Sequence, residues 1–168
     1  LKAATGKSPH LVGICQPGPL LAATLIMNPE LGKTFGTAGS PMDTEGESAV
    51  LTDFSRMMGP NYIDVLLTLF GRTIGSEHPG KGRKVYNGSA HVLGFYMMGA
   101  GQHYNNFKKL LADLKSGDEE SAKRQMDFYE WYHTVHHFPA EFIRDTYKKV
   151  FVKNELARGE LTIGKQTI

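Results

Sequence analysis

The stretch His10-Leu11-Val12-Gly13-Ile14-Cys15-Gln16-Pro17-Gly18-Pro19-Leu20-Leu21-Ala22-Ala23-Thr24-Leu25-Ile26-Met27 decides how this chain is read. Its first part is an apolar, β-branched run halted by Gln-Pro-Gly-Pro, which predicts a buried strand. Its second part predicts a helix that opens at Pro19, whose missing N–H is no loss in a first turn. Asn28-Pro29 closes that helix, because proline disfavours helical angles in the residue before it. Residues 33–38 predict another strand, and 39–43 a turn after it. Strand, sharp turn, helix, strand implies a parallel pair.

Gly13-Ile14-Cys15-Gln16-Pro17-Gly18 falls where strand gives way to helix and approximates a nucleophile elbow, Gly-x-nucleophile-x-Gly. Such a turn aims its central side chain out of the sheet through strained backbone angles, so the neighbours must be small. Gly13 meets that need two residues before Cys15; two residues after it stands Pro17, with Gly18 one place late. The N–H of Gln16, at the positive end of the helix, would face a developing oxyanion. From position alone Cys15 fits either a nucleophile or a small buried apolar residue, the commoner use of a lone cysteine.

Farther along, residues 51–152 carry helical periodicity in nearly every segment. Tyr104, Phe107, Leu110, Leu111 and Leu114 recur at spacings of three and four, with Lys108, Lys109 and Asp113 between them. Phe142, Ile143, Tyr147, Val150 and Phe151 repeat the pattern behind Pro139 and Glu141. Ser116-Gly117-Asp118 predicts a turn whose Asp caps a helix beginning near Glu119, and residues 75–82 a loop rich in breakers. Residues 153–168 predict a turn at Arg158-Gly159-Glu160 and a strand at Leu161-Thr162-Ile163 that lacks a partner in the remaining five residues. The expected fold is α/β. Residues 1–48 form a partial α/β-hydrolase core of parallel strands with the elbow, 49–152 a large helical lid insertion, and 153–168 a return toward the core sheet. The lid comparison is an analogy between folds.

The 168 residues suffice for a domain-sized core. With 19 Lys+Arg against 17 Asp+Glu, the charge of +2 sets up no field to gather nucleic acid or an acidic membrane. One cysteine excludes an internal disulfide, and no CxxC zinc pattern occurs. The longest apolar stretch, Leu20 to Met27, falls short of the ~20 residues that span a bilayer. These features predict a cytoplasmic protein.

Residues His10 to Ala23, HLVGICQPGPLLAA, resemble the elbow region of intracellular polyhydroxyalkanoate (poly-3-hydroxybutyrate) depolymerases, whose nucleophile is a cysteine in a Cys-Gln-Pro context. The likeness continues through Ala38-Gly39-Ser40-Pro41-Met42-Asp43-Thr44, Arg83-Lys84-Val85-Tyr86 with Gly88, Phe138-Pro139-Ala140-Glu141-Phe142 and Arg158-Gly159-Glu160-Leu161-Thr162. The resemblance implies an α/β-hydrolase fold with a helical lid and cleavage of polyester bonds through a thioester on Cys15. The Gln16 N–H would hold the oxyanion, and Gly13, Pro17 and Gly18 would build the turn. It implies no metal and no resident cofactor, with coenzyme A an alternative acyl acceptor to water. The expected partner is the polymer granule, and a homo-oligomer stays open. The catalytic Asp and His are expected beyond residue 168 and the earlier strands before residue 1, so the chain reads as an internal portion of a larger enzyme. Polyhydroxyalkanoate synthases, which use a related cysteine box, supply the alternative of an acyltransferase. A non-catalytic chain that binds granules or a partner through its helices is the third reading.

Other residues carry weaker chemical signals. Asp43 stands where some α/β hydrolases keep their acid, although Asp beside Pro is commonly a turn former. His10 lies too far along an extended strand to pair with Cys15, and nothing singles out His78. His133, His136 and His137 would share a face if the helix ran through them, a spacing that suits zinc, but no His-Glu-x-x-His motif is complete. Gly80-Lys81-Gly82-Arg83-Lys84 reads as a solvated basic loop rather than a phosphate cradle. Phe128-Tyr129-Glu130-Trp131-Tyr132 reads as helix packing or an acyl-facing surface, and Met97-Met98 as gap filling in a core.

Overall fold

The computed structural model describes residues 2–46 and 49–168. In chain order the elements begin with α1 (Lys2–Thr5), β1 (His10–Ile14), α2 (Pro17–Met27), a 3-10 turn (Pro29–Leu31) and β2 (Thr34–Ala38). There follow α3 (Val50–Met58), α4 (Tyr62–Phe70), β3 (Gly71–Thr73), β4 (Lys84–Tyr86), α5 (Gly88–Met98), α6 (Ala100–Ser116) and α7 (Glu119–His133). The chain ends with β5 (Phe138–Pro139), α8 (Ala140–Asp145), a π-helical stretch (Thr146–Val152), β6 (Thr162–Ile163) and β7 (Gln166–Thr167). The fold is mixed α/β, and it divides into two compact units, Leu1–Ile63 with Arg144–Ile168 and Asp64–Ile143.

In the first unit β1 and β2 pair in parallel, from His10↔Thr34 to Ile14↔Ala38, with α2 as the crossover. The helix starts at Pro17, two residues before the predicted Pro19, because both prolines are tolerated within one first turn. It ends at Asn28, whose N–H bonds the Thr24 carbonyl. The residues it buries, Gly18, Pro19, Ala22 and Ala23, are all small, so the helix lies close on the sheet. The prediction of a buried strand needs correction. Only Gly13 of β1 is buried, Val12 and Ile14 are 67% and 68% exposed, and β2 is exposed throughout. Among the described residues α2 covers one face of this two-stranded sheet, and the face that carries Val12 and Ile14 is exposed. Of the expected α/β-hydrolase core, this parallel pair is what the described residues contain.

The rest of the unit packs α3 against the π-helical stretch. The Tyr147 hydroxyl reaches the carbonyls of Ser55 and Gly59, each at 3.2 Å, and so satisfies the carboxyl end of α3. The helix predicted through Phe151 therefore changes character after Asp145. The tail also departs from expectation. The strand at Thr162–Ile163 does have a partner, β7, in a hairpin closed by Gly164-Lys165, with Gly164 at φ +62. A two-residue loop with glycine at a positive φ is a standard hairpin connection.

The second unit contains α5, α6 and α7 and an antiparallel sheet ordered β3-β4-β5, three short strands that the reading of a largely helical region did not include. These strands are two or three residues long, too short for periodicity to declare them. Val85, Tyr86, Val92, Ala122, Tyr129, Ala140 and Ile143 form its core. Asp118 caps α7 as predicted, its side chain accepting from the Ser121 N–H at 3.0 Å. α6 ends at Gly117, whose φ of +77 gives a left-handed cap. Part of its apolar stripe is turned outward: Tyr104, Leu111 and Leu114 are 64%, 58% and 54% exposed, while Leu110 is half-buried. The half-buried side is His103, Asn106, Leu110 and Asp113.

Candidate functional site

The turn between β1 and α2 takes the form its sequence requires. Cys15 has φ +62 and, with Asn154, is one of two non-glycine residues at positive φ among the described residues. Its N–H donates to the Ala38 carbonyl at 2.9 Å, extending the β1–β2 ladder past the last strand residue, and its own carbonyl accepts from the Gly18 N–H at 3.1 Å. The side chain is exposed, which overturns the reading of a buried apolar cysteine.

Two glycines allow this geometry. A Cβ on Gly13 would lie 2.7 Å from the Gly18 Cα and 3.0 Å from its nitrogen, and a Cβ on Gly18 would fall onto the Ser40 side chain. Gly18, one place later than the motif asks, thus brings the helix start against the strand end. Pro17 and Pro19 have no N–H, and that of Gly18 is engaged with Cys15. Among the described residues the Gln16 N–H has no hydrogen-bond acceptor, which leaves it as the donor at the helix start. Ser40, just beyond β2, donates its hydroxyl to the Gly13 carbonyl at 3.1 Å.

Asp43 is a turn former. One of its carboxylate oxygens accepts from the backbone N–H groups of Glu45 (3.0 Å) and Gly46 (3.1 Å) and from the Asn154 side-chain amide (2.7 Å). The Glu45 N–H, then Asn154 and Gly46, hold its carboxyl below the ordinary carboxylate value. Asn154 is a residue the sequence did not single out. Buried, and at φ +54, it also accepts from the Thr44 N–H at 3.0 Å, while Thr44 donates to the Val150 carbonyl at 3.0 Å. An Asn following a helical run is a known left-handed terminator, the one signal that could have flagged it.

Most of the histidines have partners away from the Cys15 turn. His10 Nδ1 lies 2.7 Å from the Thr34 hydroxyl, His103 Nδ1 3.0 Å from that of Tyr129, and His133 Nε2 2.8 Å from that of Tyr96. His91 is packed among Tyr86, Phe95 and Phe138, and its burial pushes the imidazole below its ordinary value. His78 is exposed beside Glu77. His133, His136 and His137 do not share a helix face: α7 stops at His133, and His137 Nδ1 accepts from the Gly88 N–H at 3.1 Å. Among the described residues no three His, Cys, Asp or Glu side chains converge as metal ligands, and no histidine is hydrogen-bonded to Cys15.

Lys81, Gly82 and Arg83 lie in an exposed loop whose Gly80 and Gly82 have positive φ. Tyr129 is buried and stacks on Phe107 at 4.8 Å, whereas Trp131 is 70% exposed. Met97 and Met98 are exposed too, so they fill no core gap. Two surface concavities include no residue of the Cys15 turn: one of about 500 Å³ beside Lys109, Ser121 and Phe128, and one of about 250 Å³ beside Lys149, Leu161 and Gly164.

Fold and site together define a mixed α/β chain that presents an exposed cysteine on a strained strand-to-helix turn. Residues 39–168 match the family described as PHB de-polymerase C-terminus. The chain belongs to that family, which ties it to polyhydroxyalkanoate depolymerisation; the match begins at Gly39, after the Cys15 turn. No curated protein and no solved structure is significantly similar to it. Among the described residues no helix is long and apolar enough to cross a membrane.

Proposed function

We propose that this chain carries the nucleophile of an intracellular polyhydroxyalkanoate depolymerase, with Cys15 cleaving ester bonds of the polymer through a thioester. The observation that carries the reading is the backbone of Cys15, strained at φ +62 and exposed beside the unengaged N–H of Gln16. A non-glycine residue in that region marks a position where function outweighs local stability. The family match supports the polymer as substrate.

In this mechanism the Cys15 thiolate adds to the carbonyl carbon of a polymer ester, and the Gln16 N–H accommodates the negative charge that develops on the carbonyl oxygen. Collapse breaks the carbon–oxygen bond. The departing hydroxyl end takes a proton, and the acyl fragment remains on sulfur. Water, deprotonated by a base, then attacks the thioester and releases a 3-hydroxyacid carboxylate and the thiol. None of the described histidines is hydrogen-bonded to Cys15, so the base and the acid that orients it are assigned to no residue of this turn. Residues 49–152 are read as the helical lid that the family resemblance implies. Coenzyme A thiol is the alternative second acceptor, and a growing chain's hydroxyl would make the reaction a synthase-like transfer; the family match favours water.

The test uses the full-length enzyme carrying this chain, with amorphous poly-3-hydroxybutyrate and release of 3-hydroxybutyrate as the readout. Cys15→Ala is expected to reduce release to background, and acid-quenched wild type to show an acyl adduct on the Cys15 peptide. Undiminished release by Cys15→Ala would overturn the enzymatic role of this cysteine and leave the chain a binding element. Product released as a coenzyme A thioester would move the reaction to thiolysis.

A further inference from the structure

We propose that Ser40 is a positioning residue for the Cys15 nucleophile, holding the strand-to-helix turn in register through the Gly13 carbonyl. The inference rests on the reading of Cys15 as nucleophile.

Three segments must keep a fixed relation for Cys15 to stay in its strained conformation: the end of β1, the start of α2 and the end of β2. The β1–β2 ladder reaches Cys15 N–H to Ala38 O and stops there, because Gly39 turns away at φ +55. Ser40 restores the tie just beyond. Its hydroxyl lies 3.1 Å from the Gly13 carbonyl, across 27 residues of sequence, and 3.4 Å from that of Ala38, so its single proton favours the shorter contact to Gly13. Its Cβ and hydroxyl also occupy the space that a Cβ on Gly18 would need. One small side chain therefore touches both glycines that flank the cysteine, from outside their own segment. Ser40 is itself held from behind, since Asp43 and Thr44 are fixed by hydrogen bonds from and to the buried Asn154 side chain. A strained dihedral persists only where its surroundings over-determine it, and Ser40 is the side chain that links all three segments.

Loss of the hydroxyl leaves the turn assembled but looser. Displacement of a nucleophile by about 1 Å can cost on the order of 100-fold in rate. In the full-length enzyme, Ser40→Ala is expected to slow acylation of Cys15 by a soluble 3-hydroxybutyrate ester roughly 10- to 100-fold. KM should change little, and the rate of Cys15 alkylation by iodoacetamide should shift across its pH profile. Ser40→Thr, which keeps the hydroxyl, should recover most of the rate, and Ser40→Val, matched in shape to Thr without the hydroxyl, should not. A merely structural role predicts instead a smaller fraction of titratable Cys15 sites with an unchanged rate per site. That outcome, or wild-type acylation and alkylation in Ser40→Ala, would overturn the proposal. Full activity in Cys15→Ala would overturn the nucleophile reading and this inference together, whereas dependence on Cys15 with indifference to Ser40 would overturn this inference alone.

Discussion

At Cys15 a non-glycine residue is held at φ +62, where its Cβ crowds the following carbonyl at a cost of about 1–2 kcal/mol. The hydrogen bonds on either side, to Ala38 and from Gly18, offset that strain. Cys15→Gly should therefore raise stability by up to about 1 kcal/mol while removing the thiol, a trade between stability and activity expected at a functional position. A higher melting temperature by circular dichroism, with no iodoacetamide adduct, would bear this out; a lower one would show the turn to be unstrained. Gly13→Ala pushes the other way. A methyl placed 2.7 Å from the Gly18 Cα must separate strand from helix, at about 1–3 kcal/mol by the usual cost of overpacking. Urea unfolding of this variant should give a midpoint well below wild type.

Among the elements, α6 and α7 show how a helical pair is held when only part of its apolar stripe, Phe107 on Tyr129, lies in the contact. Asp113 gathers the Lys109 ammonium (2.6 Å), the Ser121 hydroxyl (2.7 Å) and the Gln125 amide (3.0 Å), joining the two helices through charge and hydrogen bonds. Lys109 first, then Ser121, hold its carboxyl below the ordinary value of 3.8, against the opposing effect of burial. A depressed folded value means that the Asp113 contribution is complete above about pH 3.8 and is lost as the pH falls through the lower folded value. Asp113→Asn should weaken the hairpin at neutral pH and flatten its acid sensitivity, as read from helical circular dichroism in urea at a series of pH values below about 5. Conversely, Leu111→Ser, on the exposed face, should change stability by no more than about 0.5 kcal/mol, against about 3–5 kcal/mol for Tyr129→Ala in the core. Equal losses in the two variants would mean that the stripe is covered.

Over the whole chain, one buried side chain connects distant sequence within the first unit. Asn154 bonds Asp43 and the Thr44 N–H across 111 and 110 residues. Asn154→Ala would leave the buried Thr44 N–H unpaired and remove a donor from Asp43, at about 2–3 kcal/mol by the cost of unsatisfied buried groups. Denaturant midpoints should show this loss clearly. Arg158→Ala, which removes the exposed pair with Glu45, should cost less than about 1 kcal/mol. Both contacts link the segment following β2 to the end of the chain, two stretches that the sequence motifs had marked without showing that they meet.

What the sequence determined alone was local or ordered. Pro17 and Pro19 fix backbone angles and Gly13 and Gly18 permit a close approach within a few residues, so the strand, the turn and the helix could be read directly, as could the Asp118 cap. The motifs from Ala38 to Thr162, in order along the chain, were enough to point to the family that the match over residues 39–168 shows. Only the tertiary structure decided the rest. The exposure of Cys15, the contact of Ser40 with Gly13 and Gly18, and the Asn154 hub depend on partners tens to more than a hundred residues away. The outward part of the α6 stripe and the exposed sheet face depend on it as well, because a pattern of apolar residues shows that a face is apolar but not what, if anything, is placed against it.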